Sequence, residues 1–278
     1  MAARFSAFSF VDRITAFEAG QRAKGQFAVP AGLSSFPACL VAEAVGQLAA
    51  WVAMAHVGFR RRPVAGLAGE TRFVGEVTPG QRLDLEVELE SCDDDAVAYR
   101  GCARVAGEKV LELSQCVGPM LPLEDFDAPE AVQQRFQVLC GAGAPGGGFR
   151  GVTPPELRVV DRQPGERVRA AMQVPAAAPF FADHFPRRAV FPGTLLLDSQ
   201  IRLARGLADE LPRPGASPLI PARVTDVKIR SFIVPGQAVE LEAQLSQVGD
   251  VVEATLTARS NGKPIATGRL ELSPRGLS

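Results

Sequence analysis

Two stretches of the chain alternate apolar and polar residues with a period of two. Leu83, Leu85, Val87 and Leu89 interleave with Arg82, Asp84, Glu86 and Glu88, and Val239, Leu241, Ala243 and Leu245 interleave with Glu240, Glu242 and Gln244. Such a pattern predicts antiparallel strands with one face on a core and the other in water. Ala96–Val105 and Val251–Arg259 each follow a polar turn and read as the next strands, with Val-Gly-Asp at 248–250 and Asn-Gly at 261–262 as turn chemistry. A different pattern runs from Ala38 to about Val57, apolar on nearly all sides. It predicts a helix buried in a core.

These patterns occur twice. FPACLVAEAVGQ at Phe36–Gln47 returns as FPGTLLLDSQ at Phe191–Gln200, and TPGQRLDLEVEL at Thr78–Leu89 as VPGQAVELEAQL at Val234–Leu245; VDR at Val11–Arg13 returns at Val160–Arg162. The helix and strand echoes lie about 155 residues apart, which is the spacing of a duplicated domain and far longer than a solenoid period. The expected organisation is a first repeat over residues 1–120, a linker over 121–155 and a second repeat over 156–278. Each repeat is of the α+β class, a long helix against an antiparallel sheet. The connecting stretch is acidic and partly helical (EDFDAPEAVQQRFQVL), then glycine-rich (GAGAPGGGFRG), and reads as a flexible linker. A phosphate loop does not fit, because no Lys-Ser/Thr follows and no parallel-strand pattern surrounds it.

Composition narrows the function classes. A net charge of −1 over 278 residues offers no general attraction to nucleic acid or anionic membrane. The first helix has the length of a membrane span, but Glu43, Gln47 and His56 within it, and Arg202 and Arg205 in its second copy, argue against one. MAARFSAFSFVDR lacks the apolar run of a secretory signal. The five cysteines are scattered without a C-x-x-C, which suits reduced thiols in a cytoplasmic protein and neither a disulfide frame nor a zinc site. Cys39, near a helix start, is expected to be a small buried filler.

The candidate chemistry gathers in PFFADHFPRRAVFPGTLLLDSQ, Pro179–Gln200. It holds His184, a Pro-Gly break at Pro192-Gly193 and Asp198 inside the apolar run that follows. Pro-Gly before such a run marks a loop feeding a helix, whose first turn presents free N–H groups and positive dipole charge to an anion or a polarised carbonyl. A base beside that helix mouth and an acid inside the helix make a plausible acid–base pair. Taken alone, they also fit a structural histidine and a satisfied core carboxyl.

The run HFPRRAVFPGTLLLD resembles the signature of the β-hydroxyacyl-thioester dehydratases of the hotdog fold, with His184, Phe185, Pro186, Pro192, Gly193 and Asp198 at the family spacing. It departs from that signature at Asp183, where the family has Gly, and at Arg187, Arg188 and Ala189, where it has Gly-x-Pro. The resemblance implies a double hotdog, a pseudo-dimer within one chain and open to further homodimerisation, with base and carboxylate coming from different repeats. The position matching His184 in the first repeat falls near Val29, with no histidine beside it. The expectation is therefore one live site that pairs His184 with Glu43.

In that site His184 would take the α-proton, Glu43 would protonate the departing β-hydroxyl and the Gly193 N–H would hold the thioester oxygen. Gln47, one turn after Glu43, would orient its carboxyl. Asp198 is the alternative acid, but Arg202 one turn on is expected to lower its pKa, whereas Glu43 in an apolar helix is expected to have a raised one. His56 reads as a helix-end residue without a catalytic part. Arg60–Arg62 and the pair Arg187 and Arg188 are candidate contacts for an acyl carrier protein or a pantetheine phosphate. The implied substrate is a 3-hydroxyacyl thioester on acyl carrier protein or CoA, with no metal or redox cofactor; 4′-phosphopantetheine arrives on the substrate. A hotdog thioesterase and a non-catalytic acyl-binding or scaffolding double hotdog are the alternatives.

Overall fold

The alternating stretches form the long central strands, and burial resolves their pleat. Leu83, Leu85, Val87 and Leu89 are buried while the charged residues between them are not, and Val239, Leu241 and Ala243 repeat this. The computed structural model describes residues 5–212, 217–248 and 251–274. In chain order the first half contains β1 (Arg13–Glu18), β2 (Arg22–Ala28), α1 (Ala38–His56), β3 (Arg61–Pro63), β4 (Leu67–Phe73), β5 (Arg82–Cys92), β6 (Ala96–Val105) and β7 (Glu108–Pro122). After α2 (Pro129–Cys140), the second half contains β8 (Leu157–Gln163), β9 (Arg167–Gln173), α3 (Gly193–Ala208), β10 (Leu219–Ile229), β11 (Ala238–Val248), β12 (Val251–Ser260) and β13 (Lys263–Pro274).

The strands join into one antiparallel sheet in the order β1-β2-β5-β6-β7-β4-β10-β13-β12-β11-β9-β8, with the short β3 paired to the end of β7. The order reads the same from both ends once each strand is matched to its repeat partner. The halves therefore meet strand to strand, β4 against β10, with Thr71 opposite Val224 and Ala68 opposite Val227. This is the double-hotdog layout, with α1 packed on β2, β5, β6 and β7, and α3 on β9, β10, β11 and β12. The two core helices also touch each other. By length and composition α1 is apolar enough to cross a membrane. Its apolar surface is covered here by the sheet, with Val45, Leu48 and Val52 at 0% exposure.

The repeated Pro-Gly-Gln tripeptides become matching turns. In each, the Gln N–H donates to the carbonyl three residues back (Gln81 to Thr78 and Gln237 to Val234, both 3.2 Å). In each, the Gln side chain accepts from that same residue's N–H, at 2.8 and 2.9 Å. Gly80 and Gly236 have φ of +89° and +74°, the left-handed position that a turn with Pro at its first corner assigns to glycine. Asn261-Gly262, both at positive φ, form the hairpin turn expected between β12 and β13. The expected Val-Gly-Asp turn falls on residues 249–250, outside the described residues. The VDR echo is not a structural equivalence: Val11 and Asp12 precede β1, whereas Val160–Arg162 lie inside β8.

The stretch between the halves is held to the first one, and two aromatic anchors do it. Phe136 of α2 stacks near Trp51 (6.2 Å between ring centroids) and packs edge-on against Phe17 (5.2 Å). Phe149, beside the glycine run, is 3% exposed and packs on Phe10 at 4.9 Å and on Phe36 at 6.1 Å. Glycine content signals freedom of the backbone, but one buried ring fixes where that backbone lies. Phe149→Ala is expected to cost about 3 kcal/mol, read as a lower urea midpoint at unchanged slope. An unchanged midpoint would show the run to be a free tether.

Candidate active site

The site begins at the Pro-Gly break. Phe191 N–H donates to Ile233 O (2.7 Å), which fixes the loop, and Pro192 caps α3 by accepting from Leu195 and Leu196 N–H, both at 3.1 Å. No side chain caps this helix. The Gly193 N–H has no protein acceptor among the described residues, so it faces the cavity as a free donor at the positive end of the helix dipole. A Cβ at position 193 would lie 2.4 Å from Ile229 Cδ1, which explains glycine here.

His184 follows a single 3-10 turn, Pro179–Ala182, and its backbone is bonded on both sides, N–H to Phe180 O and O to Val190 N–H, each 2.9 Å. Its Nδ1 lies 2.8 Å from Val190 O. A carbonyl can only accept, so Nδ1 carries the proton and the Nε2 lone pair is left for chemistry. The ring stacks on Phe185 (4.2 Å) and meets the edge of Phe8 (5.6 Å). Burial pushes its pKa below 6.5, with the Arg62 charge acting in the same direction and Glu43 and the Val190 carbonyl opposing.

Glu43 comes from the other half, in α1. Its Oε1 accepts from Gln47 Nε2 (2.9 Å) and its Oε2 from Thr194 Oγ1 (2.8 Å), the latter across the two repeats. Gln47 also accepts from Phe10 N–H (2.8 Å) and donates to Phe8 O (3.0 Å), so it locks both the carboxyl and the N-terminal segment. Asp183 holds the same segment by accepting from Phe5 N–H (2.6 Å), Phe8 N–H (2.8 Å) and Ser9 Oγ (3.2 Å). His184, Glu43, Gln47, Gly193, Thr194 and Arg62 line one cavity of about 230 Å³.

Asp198 is not among the residues lining that cavity. It lies instead near Cys39, whose thiol is pushed up by burial and by the Asp198 charge. Cys39 is thus the buried filler expected. The expectation that Arg202 would lower the Asp198 pKa is corrected. Burial outweighs Arg202 and Arg205 and raises it, while the Arg202 guanidinium donates to Pro155 O at 3.3 Å. His56 ends α1 on an exposed position. Arg187 and Arg188 are exposed but partly engaged: Arg187 donates to Glu124 O (2.9 Å), and Arg188 lies over the Phe232 ring (4.5 Å).

Sequence reasoning missed Thr194 and misplaced Arg62. Thr194 matches Cys39 in the repeat, and its neighbour Gly193 was already singled out; only the cross-repeat geometry shows that it reaches Glu43. Arg62 was grouped with Arg60 and Arg61 as a basic surface cluster. It is enclosed instead, with its guanidinium 3.9 Å from the Phe185 ring centroid and its pKa pulled down to about 9 by burial. Among the described residues no cluster of three or more His, Cys, Asp or Glu side chains is arranged to hold a metal.

Comparison with known proteins follows the two halves. A model described as FabA-like domain matches residues 2–114, and one described as ApeI dehydratase matches residues 160–269. Among curated relatives, the 3-hydroxyacyl-[acyl-carrier-protein] dehydratase FabZ of Bacillus subtilis is 38% identical over 118 residues, 38% of this chain and 83% of that protein. FabZ of Ruminiclostridium cellulolyticum is 30% identical over 119 residues, 42% of this chain and 82% of that protein. Among solved structures, the dehydratase domain of PpsC from Mycobacterium tuberculosis, in complex with C12:1-CoA, superposes with a TM-score of 0.53 at 18% identity, covering 91% of this chain and 94% of that one. The tesB protein MAP1729c of Mycobacterium avium subs paratuberculosis gives 0.55 at 15% identity, with 91% and 93% covered. These two likenesses are of fold, which dehydratases and thioesterases share. The chain belongs to the β-hydroxyacyl-thioester dehydratase family of hotdog proteins, with two repeats in tandem.

Proposed function

We propose that this chain dehydrates 3-hydroxyacyl thioesters to trans-2-enoyl thioesters, with the substrate on the phosphopantetheine arm of an acyl carrier protein and a single reaction centre between the repeats. The observation that carries this reading is the pairing, in one cavity, of a histidine with Nε2 unprotonated and a carboxyl from the opposite repeat. His184 Nε2 removes the α-proton. The thioester oxygen, gaining enolate charge, is held by the Gly193 N–H at the start of α3. The C–O bond at C3 then breaks as Glu43 gives its proton to the hydroxyl, which leaves as water, and the proton on His184 passes back to Glu43. The Thr194 hydroxyl can donate or accept and so follows Glu43 through both protonation states.

The test is mass spectrometry of a 3-hydroxyacyl carrier protein incubated with wild type and three variants. Wild type and Asp198→Asn are expected to lose water from the substrate, whereas His184→Ala and Glu43→Gln each lose about 10²- to 10⁴-fold in rate. A dead Asp198→Asn with an active Glu43→Gln would move the site into the second repeat. Release of free 3-hydroxy acid would mark a thioesterase, and an unchanged thioester over several chain lengths a binding role.

Because the base must be neutral, kcat/KM is expected to fall on the acid side with its midpoint below pH 6.5. His184 has its pKa under the ordinary value, so protonation, and loss of the base, come at lower pH. A midpoint above pH 6.5 would contradict a base whose pKa burial lowers. Arg187 and Arg188 are exposed on the loop that carries His184 and suit the acidic surface of a carrier protein. Arg188→Glu is expected to raise KM for the carrier-bound substrate and not for the same acyl group on N-acetylcysteamine. Equal effects on both would assign Arg188 to the loop's own structure.

A further inference from the structure

The polar side chains around the reaction centre are tied down by protein partners: Glu43 by Gln47 and Thr194, Gln47 also by backbone, and His184 by the Val190 carbonyl. Arg62 differs. It sits in the middle of β3, opposite Leu121 of β7, and its side chain lines the cavity. Its Nε is buried without a hydrogen-bond partner among the described residues. The contacts it does make are to ring faces, at 3.9 Å from the Phe185 centroid and 5.9 Å from that of Phe126.

A guanidinium stacked on an aromatic face keeps its N–H groups in its own plane, around its rim, where they are free for an acceptor. Stacking therefore accounts for where the group sits and leaves its donors unused. Leaving a buried cation without acceptors is costly, so a ligand oxygen that enters beside it gains the full value of the bond. Its pKa of about 9 leaves it charged at neutral pH, and its charge is felt by both Glu43 and His184 although neither touches it. It thus lines the same cavity as Glu43 and His184.

The reaction brings two oxygens to this place. The thioester oxygen is assigned to the Gly193 N–H, and the 3-oxygen departs beside Glu43. We propose that Arg62 contacts the substrate's 3-hydroxyl oxygen and, as a cationic donor, supports its departure while Glu43 delivers the proton. This rests on the dehydratase reading and adds a residue to it. Arg62 thereby makes the site selective for acyl thioesters oxygenated at C3 over saturated ones.

The experiment is a binding cycle in a His184→Gln background, which holds the substrate without turnover. A 3-hydroxyacyl and a saturated acyl N-acetylcysteamine thioester of equal chain length are titrated by calorimetry, with Arg62 present and with Arg62→Met. Arg62→Met is expected to weaken the hydroxy ligand by about 10- to 100-fold, the range for a hydrogen bond to a charged group, and the saturated ligand hardly at all. Equal weakening of both ligands, or of neither, would overturn the contact. Arg62→Leu, which also removes the charge and the donors, gives the same comparison should the Met variant fail to fold. Turnover of the hydroxy ligand by the otherwise unchanged chain is followed in parallel. Coupling without dehydration upholds the contact and sinks the dehydratase reading, whereas dehydration without coupling sinks the contact alone.

Discussion

The hydrogen bond from Thr194 to Glu43, 2.8 Å long and crossing from one repeat to the other, is the contact on which the cavity depends. Thr194 is the second residue of α3 and Glu43 lies in the second turn of α1, so a single bond joins the start of one core helix to the flank of the other. It holds the carboxyl next to the free Gly193 N–H. His184 and Glu43 come from different halves, and for the proposed base and acid a relative slip of about an ångström would cost about 100-fold in rate. The sheet prevents such a slip. β4 and β10 pair along their length, and Arg223 of β10 lies 3.7 Å from Glu70 of β4, so the two repeats are joined strand to strand.

The same pseudo-symmetry supports the proposal of a single reaction centre. The helix echo places Val29 opposite His184, Ala38 opposite Gly193, Cys39 opposite Thr194 and Glu43 opposite Asp198. Every change falls on one side. Val29 is buried and has no proton chemistry, a Cβ stands at the helix mouth, and a thiol, a weak donor, stands where a hydroxyl would hold the carboxyl. Asp198 is left with the arginines of its own helix and a buried thiol, and burial raises its pKa. A carboxyl without a base across from it can still hold a proton, but has no partner with which to pass one through a substrate.

The fold was legible because it rests on short-range rules used twice. Alternation at Leu83–Leu89, the all-apolar face of Ala38–His56 and the two Pro-Gly-Gln turns each specify their element locally, and the repeat supplies the sheet's mirror order. His184, Glu43 and Gly193 were legible through the motif and the repeat together. Thr194 and Arg62 were not, because their roles come from contacts that sequence spacing does not encode. Thr194 matters only once the second repeat brings Glu43 to it, and three consecutive arginines look alike until β3 turns the third one inward. The glycine-rich run misled in the same way: composition reported its bends and not the pocket that takes Phe149.

The departure at position 183 illustrates how a broken motif can mark a new task. A glycine there could not do what Asp183 does, which is to accept two backbone N–H groups and a hydroxyl from the segment Phe5–Ser9. That segment is not part of a strand, and its donors would otherwise be left unmet where it crosses the cavity. Asp183 meets them from one side and Gln47 secures Phe8 and Phe10 from the other, so Phe8 is pressed against the His184 ring. Burial is the main cause of the depressed His184 pKa, and Phe8 is part of that burial. Three consecutive residues thus divide the work: Asp183 fixes the roof, His184 offers the lone pair beneath it, and Phe185 supplies the face on which Arg62 rests. The segment that covers the His184 ring is thus held by the residue next to that histidine.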